Sequence, residues 1–300
     1  MPLIKRTQLF LLVLFSFGCT SESSNTELND IIIDDMETSL DENHDEFFNL
    51  DTNVLSEKTV AHNVEDTVAN DLVLDVPKDT IDTYNFQEYL NLTKFLKSHV
   101  SIGGKVNYKG IVKNKDQLNV ILQEFQSNYP VTKWTKSQKL SYWINAYNIF
   151  TIKLIIDNYP ITSIKSINNK PWDKKFISLN GNVLSLNDIE HEIIRKQYND
   201  PRVHFALNCA SESCPILLNK AYRANVLSSQ LTAQTKKFLM DSSKNDFSDS
   251  KRIKISQIFD WYKTDFTKNG TLIDFLNNYI TEQLEEPVIE YLDYSWSLNQ

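Results

Sequence analysis

The sequence predicts an α+β fold that is mainly helical and contains a small antiparallel sheet. Several long segments repeat apolar residues at helical spacing, whereas one short segment has the pattern of a β-hairpin. The chain has 300 residues, of which 41% are hydrophobic and 11% are aromatic, so it can bury a substantial core. These observations exclude a chain that is disordered throughout.

The composition also excludes two kinds of binding site. Only 6 glycines occur, and they form none of the Gly-rich loops that usually hold nucleotide phosphates. The 3 cysteines and 5 histidines do not have the spacing of zinc-finger ligands. We therefore predict no nucleotide or other cofactor and no structural zinc ion.

The first 19 residues have the pattern of a bacterial secretory signal. Lys5 and Arg6 precede an apolar run over 9–17, which is too short to cross a membrane as a helix, and Gly18-Cys19 follows. This ending resembles the lipobox of bacterial lipoproteins, in which the cysteine is acylated. We therefore expect a lipid-anchored protein of the bacterial cell envelope, on the periplasmic or the outer surface. The alternative is simple secretion with an unmodified Cys19.

Residues 20–82 are predicted to be a disordered acidic linker. They contain 18 Asp and Glu residues against two lysines, and they lack glycine and tryptophan. Residues 83–300 contain 27 basic residues, 21 acidic residues and all 5 tryptophans, so we expect one globular domain there. Its positive charge would suit an anionic glycan or a lipid headgroup, whereas export argues against nucleic acid as a partner.

A long helix is predicted over about 136–157, with Thr135 as its cap. Apolar side chains occur on all sides of this helix, so we expect it to be buried. Its two amides, Asn145 and Asn148, then need internal hydrogen-bond partners. Other helices are predicted at about 84–100, 222–241, 256–267 and 271–285.

The hairpin is predicted over 176–186, where Asn180-Gly181 accommodates the two positive φ angles of a type I′ turn. Asn187 is then predicted to cap a helix together with Glu190, as in a capping box. The segment 203–208 fits a buried strand, but Asp200-Pro201 before it also fits the start of a helix. We favour the strand.

The densest group of potentially reactive side chains surrounds Cys209, a candidate thiolate nucleophile that needs a nearby imidazole. If 203–208 is extended, His204 lies about 16 Å from Cys209 and faces the opposite side. If the segment is helical, the two residues are about 140° apart around the axis. A pair with His204 therefore requires a turn that breaks the element, and His191 is the alternative base.

Each candidate also has a structural interpretation. Cys209 and Cys214 can form a disulfide in an exported protein. A redox-active pair is a weaker interpretation, because four residues separate the cysteines. The other structural interpretations are a helix cap for Glu190, a solvated helical residue for His191, a core histidine for His204 and a core amide for Asn145.

Eight short motifs, in order along the chain, are similar to those of one known family. They are Gly104–Tyr108 (GKVNY), Tyr142–Asn148 (YWINAYN), Tyr159–Ile164 (YPITSI), Leu186–His191 (LNDIEH), Arg202–Cys209 (RVHFALNC), Ser213–Pro215 (SCP), Ile258–Tyr262 (IFDWY) and Trp296–Asn299 (WSLN). Together they resemble the domain-of-unknown-function-547 family, which occurs in bacterial envelope proteins and in plant proteins joined to leucine-zipper segments. The likeness runs from about residue 84 to residue 300.

The resemblance implies that Asn145, Glu190, His204 and Cys209 are positions at which family members look alike. It also implies a distant relation to papain-like or transglutaminase-like thiol enzymes, but it brings no known reaction. An aspartate is expected from the resemblance where this chain has Ser295.

We therefore expect a membrane-anchored envelope protein with a thiol-dependent acyl-transfer or amide-hydrolase site of unknown substrate. Cys209 would be the nucleophile and His204 or His191 the base, with Glu190 as a further catalytic candidate. Asn145 would orient the imidazole or donate to an oxyanion. The alternative is a non-catalytic binding or scaffold domain with a structural disulfide, whose partner is an envelope protein or a glycan.

Overall fold

The computed structural model describes residues 85–300, so the expected signal, Cys19 and the acidic linker lie outside the described residues. It confirms the α+β class. The α-helices are α1 (Leu90–His99), α2 (Tyr108–Lys113), α3 (Lys115–Ser127), α4 (Lys136–Asn158), α5 (Leu227–Leu239), α6 (Ile258–Trp261), α7 (Lys263–Phe266) and α8 (Leu272–Asn277). The strands are β1 (Ile177–Leu179), β2 (Asn182–Leu184), β3 (Arg252–Ser256) and β4 (Val288–Leu292), and a π-helix (Asp188–Arg195) and a 3-10 helix (Pro201–Phe205) lie between β2 and α5.

Helix α4 is the central element of the larger core. Thr135 caps it as predicted, and the side chain of Gln138 completes a capping box. Its side chains are buried from Leu140 through Ile152, because apolar residues surround the axis. No helix of residues 85–300 is long and apolar enough to cross a membrane.

Two small sheets accompany the helices. Strands β1 and β2 form the predicted antiparallel hairpin, and its turn residues Asn180 and Gly181 have φ angles of 49° and 75°. Strands β3 and β4 form a parallel pair that was not predicted, in register from Arg252 opposite Val288 to Ser256 opposite Leu292. No turn signal indicates such a pair, because its strands are far apart in the sequence.

The predicted strand over 203–208 is wrong. Residues 201–205 form a 3-10 helix instead, because Pro201 occupies its first turn and the side chain of Asp200 accepts a hydrogen bond from the backbone N–H of Arg202. The C-terminal helices are also shorter than predicted. In particular, α8 ends at Asn277, whose side-chain amide binds the backbone N–H and C=O of Leu284 and so holds the chain in a loop.

The described residues contain two clusters of buried apolar side chains. The larger cluster surrounds α4, and the smaller one joins β3, α6, α7 and α8. The 3-10 helix lies between them, because Val203 belongs to the larger cluster and Phe205 to the smaller. This position places the intervening His204 where the two clusters meet.

Candidate functional site

A cavity of about 170 Å³ brings together three of the five predicted catalytic residues, Glu190, His204 and Cys209. Side chains of both apolar clusters contribute to its wall. The other lining residues are mainly aromatic: Tyr147, Trp172, Trp261, Tyr262, Tyr294 and Trp296, together with Asn187, Leu207, Cys214, Pro215 and Ile258.

His204 and Cys209 reach the same cavity because the chain changes direction between them. The 3-10 helix ends at Phe205, and the chain then turns through Ala210, which has a φ angle of 63°. Asn148 of α4 fixes this turn, since its Nδ2 donates to the carbonyl of Ala206 at 2.9 Å and its Oδ1 accepts from the N–H of Asn208 at 2.9 Å. This is the break in the element that a Cys209–His204 pair requires.

The C-terminal segment holds the loop that follows Cys209. Asn299 donates from Nδ2 to Oδ1 of Asn208 at 3.2 Å and from its backbone N–H to the carbonyl of Ala210 at 3.2 Å. Ser295, which stands where the family resemblance leads us to expect an aspartate, donates its backbone N–H to Oγ of Ser213 at 2.9 Å. Ser295 does not line the cavity.

The sulfur atoms of Cys209 and Cys214 form a disulfide. Cys214 is buried, whereas Cys209 is half-buried. The hydroxyl of Tyr294 lies 3.4 Å from the sulfur of Cys209 and 3.2 Å from that of Cys214. Cys209 therefore has no free thiol in this state, and a nucleophilic role requires reduction of the bond.

His204 is bound through one of its two ring nitrogens. Its Nε2 lies 2.9 Å from Oδ2 of Asp265, which also accepts from Nε of Arg195 at 2.6 Å. Within residues 85–300, the other ring nitrogen, Nδ1, has no hydrogen-bond partner. Because the carboxylate accepts from Nε2–H, the neutral ring leaves Nδ1 as a proton acceptor.

The buried environment determines the charge of this pair. Burial lowers the pKa of His204 below its ordinary value of 6.5, although the hydrogen bond to Asp265 opposes this change. For Asp265, burial alone would raise the pKa, but hydrogen bonds from His204 and Arg195 lower it overall. At neutral pH the pair is therefore an uncharged imidazole that donates to a carboxylate.

Asn145 and His191, the other two predicted catalytic residues, do not line the cavity. Asn145 uses both ends of its amide on the backbone of Tyr222, donating to the carbonyl at 2.8 Å and accepting from the N–H at 2.9 Å. His191 is half-buried, and its Nδ1 lies 2.9 Å from a guanidinium nitrogen of Arg195. The residue that binds the imidazole of His204 is therefore Asp265, and not Asn145 as expected.

The predicted capping box with Glu190 is wrong. Ser185 and Asp188 form the reciprocal pair instead, because the N–H of Asp188 binds Oγ of Ser185 at 3.1 Å and the N–H of Ser185 binds Oδ2 of Asp188 at 2.6 Å. The side chain of Asn187 donates to Asp173. Glu190 is therefore released from the helix terminus and lines the cavity, where it is 5% exposed.

Tyr262 connects Glu190 with His204. Its hydroxyl donates to Oε1 of Glu190 at 2.6 Å, and its ring stacks on the imidazole of His204 with 3.9 Å between the centroids. The guanidinium of Arg195 lies 5.0 Å from the centroid of the same ring. The carboxyl group, the aromatic ring and the imidazole thus form one layer of the cavity wall.

Three tryptophans and a tyrosine form the rest of the aromatic wall. The ring of Trp296 stacks on Trp261 at 5.7 Å and contacts Tyr294 at 4.6 Å and Trp172 at 5.3 Å. Sequence reasoning did not predict these residues as part of the site. The available signal was that Trp261 and Trp296 fall within motifs of the family resemblance. In residues 85–300, no group of three or more His, Cys, Asp or Glu side chains is arranged to hold a metal ion.

Comparisons with known proteins find one similarity. No curated protein matches this chain. No solved structure matches it either. Residues 131–239 match the model of a family described as "Protein of unknown function, DUF547", a segment that includes α4, Glu190, His204 and Cys209. This match supports the assignment to the DUF547 family that the sequence motifs indicated.

Proposed function

We propose that the cavity is the site of a thiol-dependent acyl transfer or amide hydrolysis. Cys209 in its reduced form is the nucleophile, His204 is the general base, and Asp265 holds the imidazole. The supporting observation is that His204 binds Asp265 through Nε2 and lines the same cavity as Cys209.

The proposed reaction begins after an external dithiol has reduced the disulfide and has itself been oxidised. Nδ1 of His204 accepts the thiol proton of Cys209, and the sulfur attacks the carbonyl carbon of an amide. The C–N bond breaks, and the leaving amine takes the proton from the imidazolium, which leaves a thioester on Cys209. Water or another acceptor then attacks the thioester, gives a proton to His204 and releases the sulfur.

Tyr294 is the proposed donor to the oxyanion of this reaction. Its hydroxyl lies beside both sulfur atoms of the disulfide. Burial raises its pKa above the ordinary value, although a hydrogen bond with Ser211 opposes the rise. The hydroxyl therefore keeps its proton at neutral pH and can stabilise the negative charge that develops on the carbonyl oxygen.

Alkylation of the reduced protein tests this proposal. A cysteine paired with histidine is ionised well below the pH at which an ordinary thiol ionises. After treatment with dithiothreitol, iodoacetamide at pH 6 should therefore label Cys209 at least about tenfold faster than Cys214, with the positions identified by peptide mass spectrometry. Equal, slow labelling of both cysteines only after unfolding would contradict the proposal.

The disulfide itself favours a second candidate function, a non-catalytic binding or scaffold domain. In this case the bond would fix the loop between α5 and the 3-10 helix permanently, and an envelope protein or a glycan would bind to the surface. Mass spectrometry of the folded protein separates the two candidates. A Cys209–Cys214 bond that resists dithiothreitol until the protein is denatured would support the scaffold function.

We also propose that the protein is a bacterial lipoprotein attached to the envelope membrane through Cys19. The proposal depends on the basic start, the apolar run and the Gly18-Cys19 ending of the sequence. An alkyne-tagged fatty acid supplied to expressing bacteria should label the wild-type protein and not the Cys19→Ala variant. Equal labelling of both would show that the lipid is not on Cys19.

A further inference from the structure

The cavity contains a buried carboxyl group that no cation of the described residues neutralises directly. Glu190 is 5% exposed, and the hydroxyl of Tyr262 donates to its Oε1 at 2.6 Å. Among residues 85–300 it forms no salt bridge, since Arg195 is directed to Asp265. This hydrogen bond leaves part of the acceptor capacity of the carboxyl group unused, so Glu190 can accept a hydrogen bond from a ligand in the cavity.

The aromatic wall favours a positively charged ligand. Ammonium groups are attracted to the faces of tryptophan and tyrosine rings, and the attraction increases when water is excluded. Lys165, which does not line the cavity, already places a primary ammonium group on one of these rings, since its Nζ lies 3.9 Å from the ring centroid of Trp296. Trp261 is 45% exposed and leaves part of the wall open to a ligand.

The size of the cavity limits the ligand to a small group. A protein cavity of roughly 150 Å³ holds a ring of six carbon atoms, and this cavity has a volume of about 170 Å³. A chain of five methylene or methyl carbons with a terminal nitrogen is of comparable size. Its hydrocarbon part would contact the aromatic wall, and its nitrogen would reach the carboxyl group.

We propose that this cavity binds a primary alkylammonium group of the substrate, of the kind carried by a lysine side chain. Glu190 accepts hydrogen bonds from the ammonium group, and the tryptophans surround its hydrocarbon stem. The alkylammonium group is then the substrate class of the function proposed above, and its part in catalysis depends on that proposed function. Binding of the group itself requires no chemistry at Cys209.

The inference is tested by measuring the affinity of the full chain for n-pentylammonium with isothermal titration calorimetry. Its neutral and anionic analogues, 1-pentanol and pentanoate, should bind at least about tenfold more weakly. Glu190→Gln should weaken binding of the ammonium by about tenfold or more, because a hydrogen bond between charged groups becomes one to a neutral amide. The matched control is Glu192→Gln, two residues along the same helix, where Glu192 is exposed and pairs with Lys196.

A second substitution keeps the test valid if Glu190→Gln fails to fold. Trp261→Ala removes a partly exposed ring of the wall and should also weaken the binding of n-pentylammonium. Equal affinity for n-pentylammonium and 1-pentanol, or no loss in either variant, would overturn the inference. The oxidised wild-type protein separates the inference from the catalytic proposal, because Cys209 has no free thiol in the disulfide. This form should still bind n-pentylammonium, whereas a protein with a reactive Cys209 after reduction and no affinity for n-pentylammonium would refute the ammonium site alone.

Discussion

Replacing His204 by Asn is expected to slow the alkylation of Cys209 at pH 6 by about one to two orders of magnitude. The reason is that the thiolate, and not the thiol, reacts with iodoacetamide, and loss of the imidazole removes the group that accepts the thiol proton. The rate should be measured in a Cys214→Ser background, where Cys209 cannot form the disulfide. The hydroxyl of the introduced serine can still accept a hydrogen bond from the backbone N–H of Cys209.

Asp265→Asn should reproduce a large part of this loss. An amide at position 265 can donate to Nε2, which moves the ring proton to Nδ1 and removes the acceptor that Cys209 needs. His191→Asn is the matched control, since His191 lies on the adjacent helix and outside the cavity. Unchanged alkylation in the His204 and Asp265 variants, or an equal loss in the His191 variant, would remove His204 from its proposed role.

The Asn148→Ala variant is expected to lose about 2–5 kcal/mol of unfolding free energy, measured by urea denaturation. The substitution leaves two buried backbone groups, the carbonyl of Ala206 and the N–H of Asn208, without their partners, and each such group costs about 1–3 kcal/mol. Because these bonds fix the turn before Cys209, the variant should also lose the preferential labelling of Cys209 over Cys214.

Asn145→Ala is the matched control, because it removes the same kind of side chain from the same helix. Asn145 also binds two backbone groups from α4, but both belong to Tyr222, outside the cavity. We expect a destabilisation of similar size with the labelling preference retained. If the two variants change the labelling of Cys209 equally, the amide of Asn148 has no specific part in positioning the site.

Local sequence patterns predicted the elements whose signals are themselves local. The turn at Asn180-Gly181 and the cap at Thr135 depend on neighbouring residues, and both are confirmed. The parallel pair of β3 and β4 depends on contacts between distant residues and has no such signal. The strand over 203–208 was wrong because the apolar pattern was given more weight than the helix-starting Asp200-Pro201.

The site was predicted only in part, because some of its residues belong to local motifs and others are brought together by the fold. Glu190, His204 and Cys209 fall within motifs of the family resemblance, and the structure brings them to one cavity. Asp265 was missed because it is 61 residues from His204 and lies in a short helix with no distinctive pattern. Asn145 was chosen as the orienting group, but a buried amide in a helix serves equally well to hold backbone, and the sequence does not separate these roles.

The pH at which Cys209 ionises shows whether His204 accepts its proton. In a Cys19→Ala, Cys214→Ser protein, Cys209 is the sole cysteine, and its thiolate can be followed by the ultraviolet absorbance near 240 nm during a pH titration. We predict that the thiolate is already present at pH 6, because its negative charge stabilises the proton on His204 against the effect of burial, and that His204→Asn abolishes it there. A thiolate that appears only above about pH 8 in both proteins, as for an ordinary cysteine, would contradict the proposed pairing of Cys209 with His204.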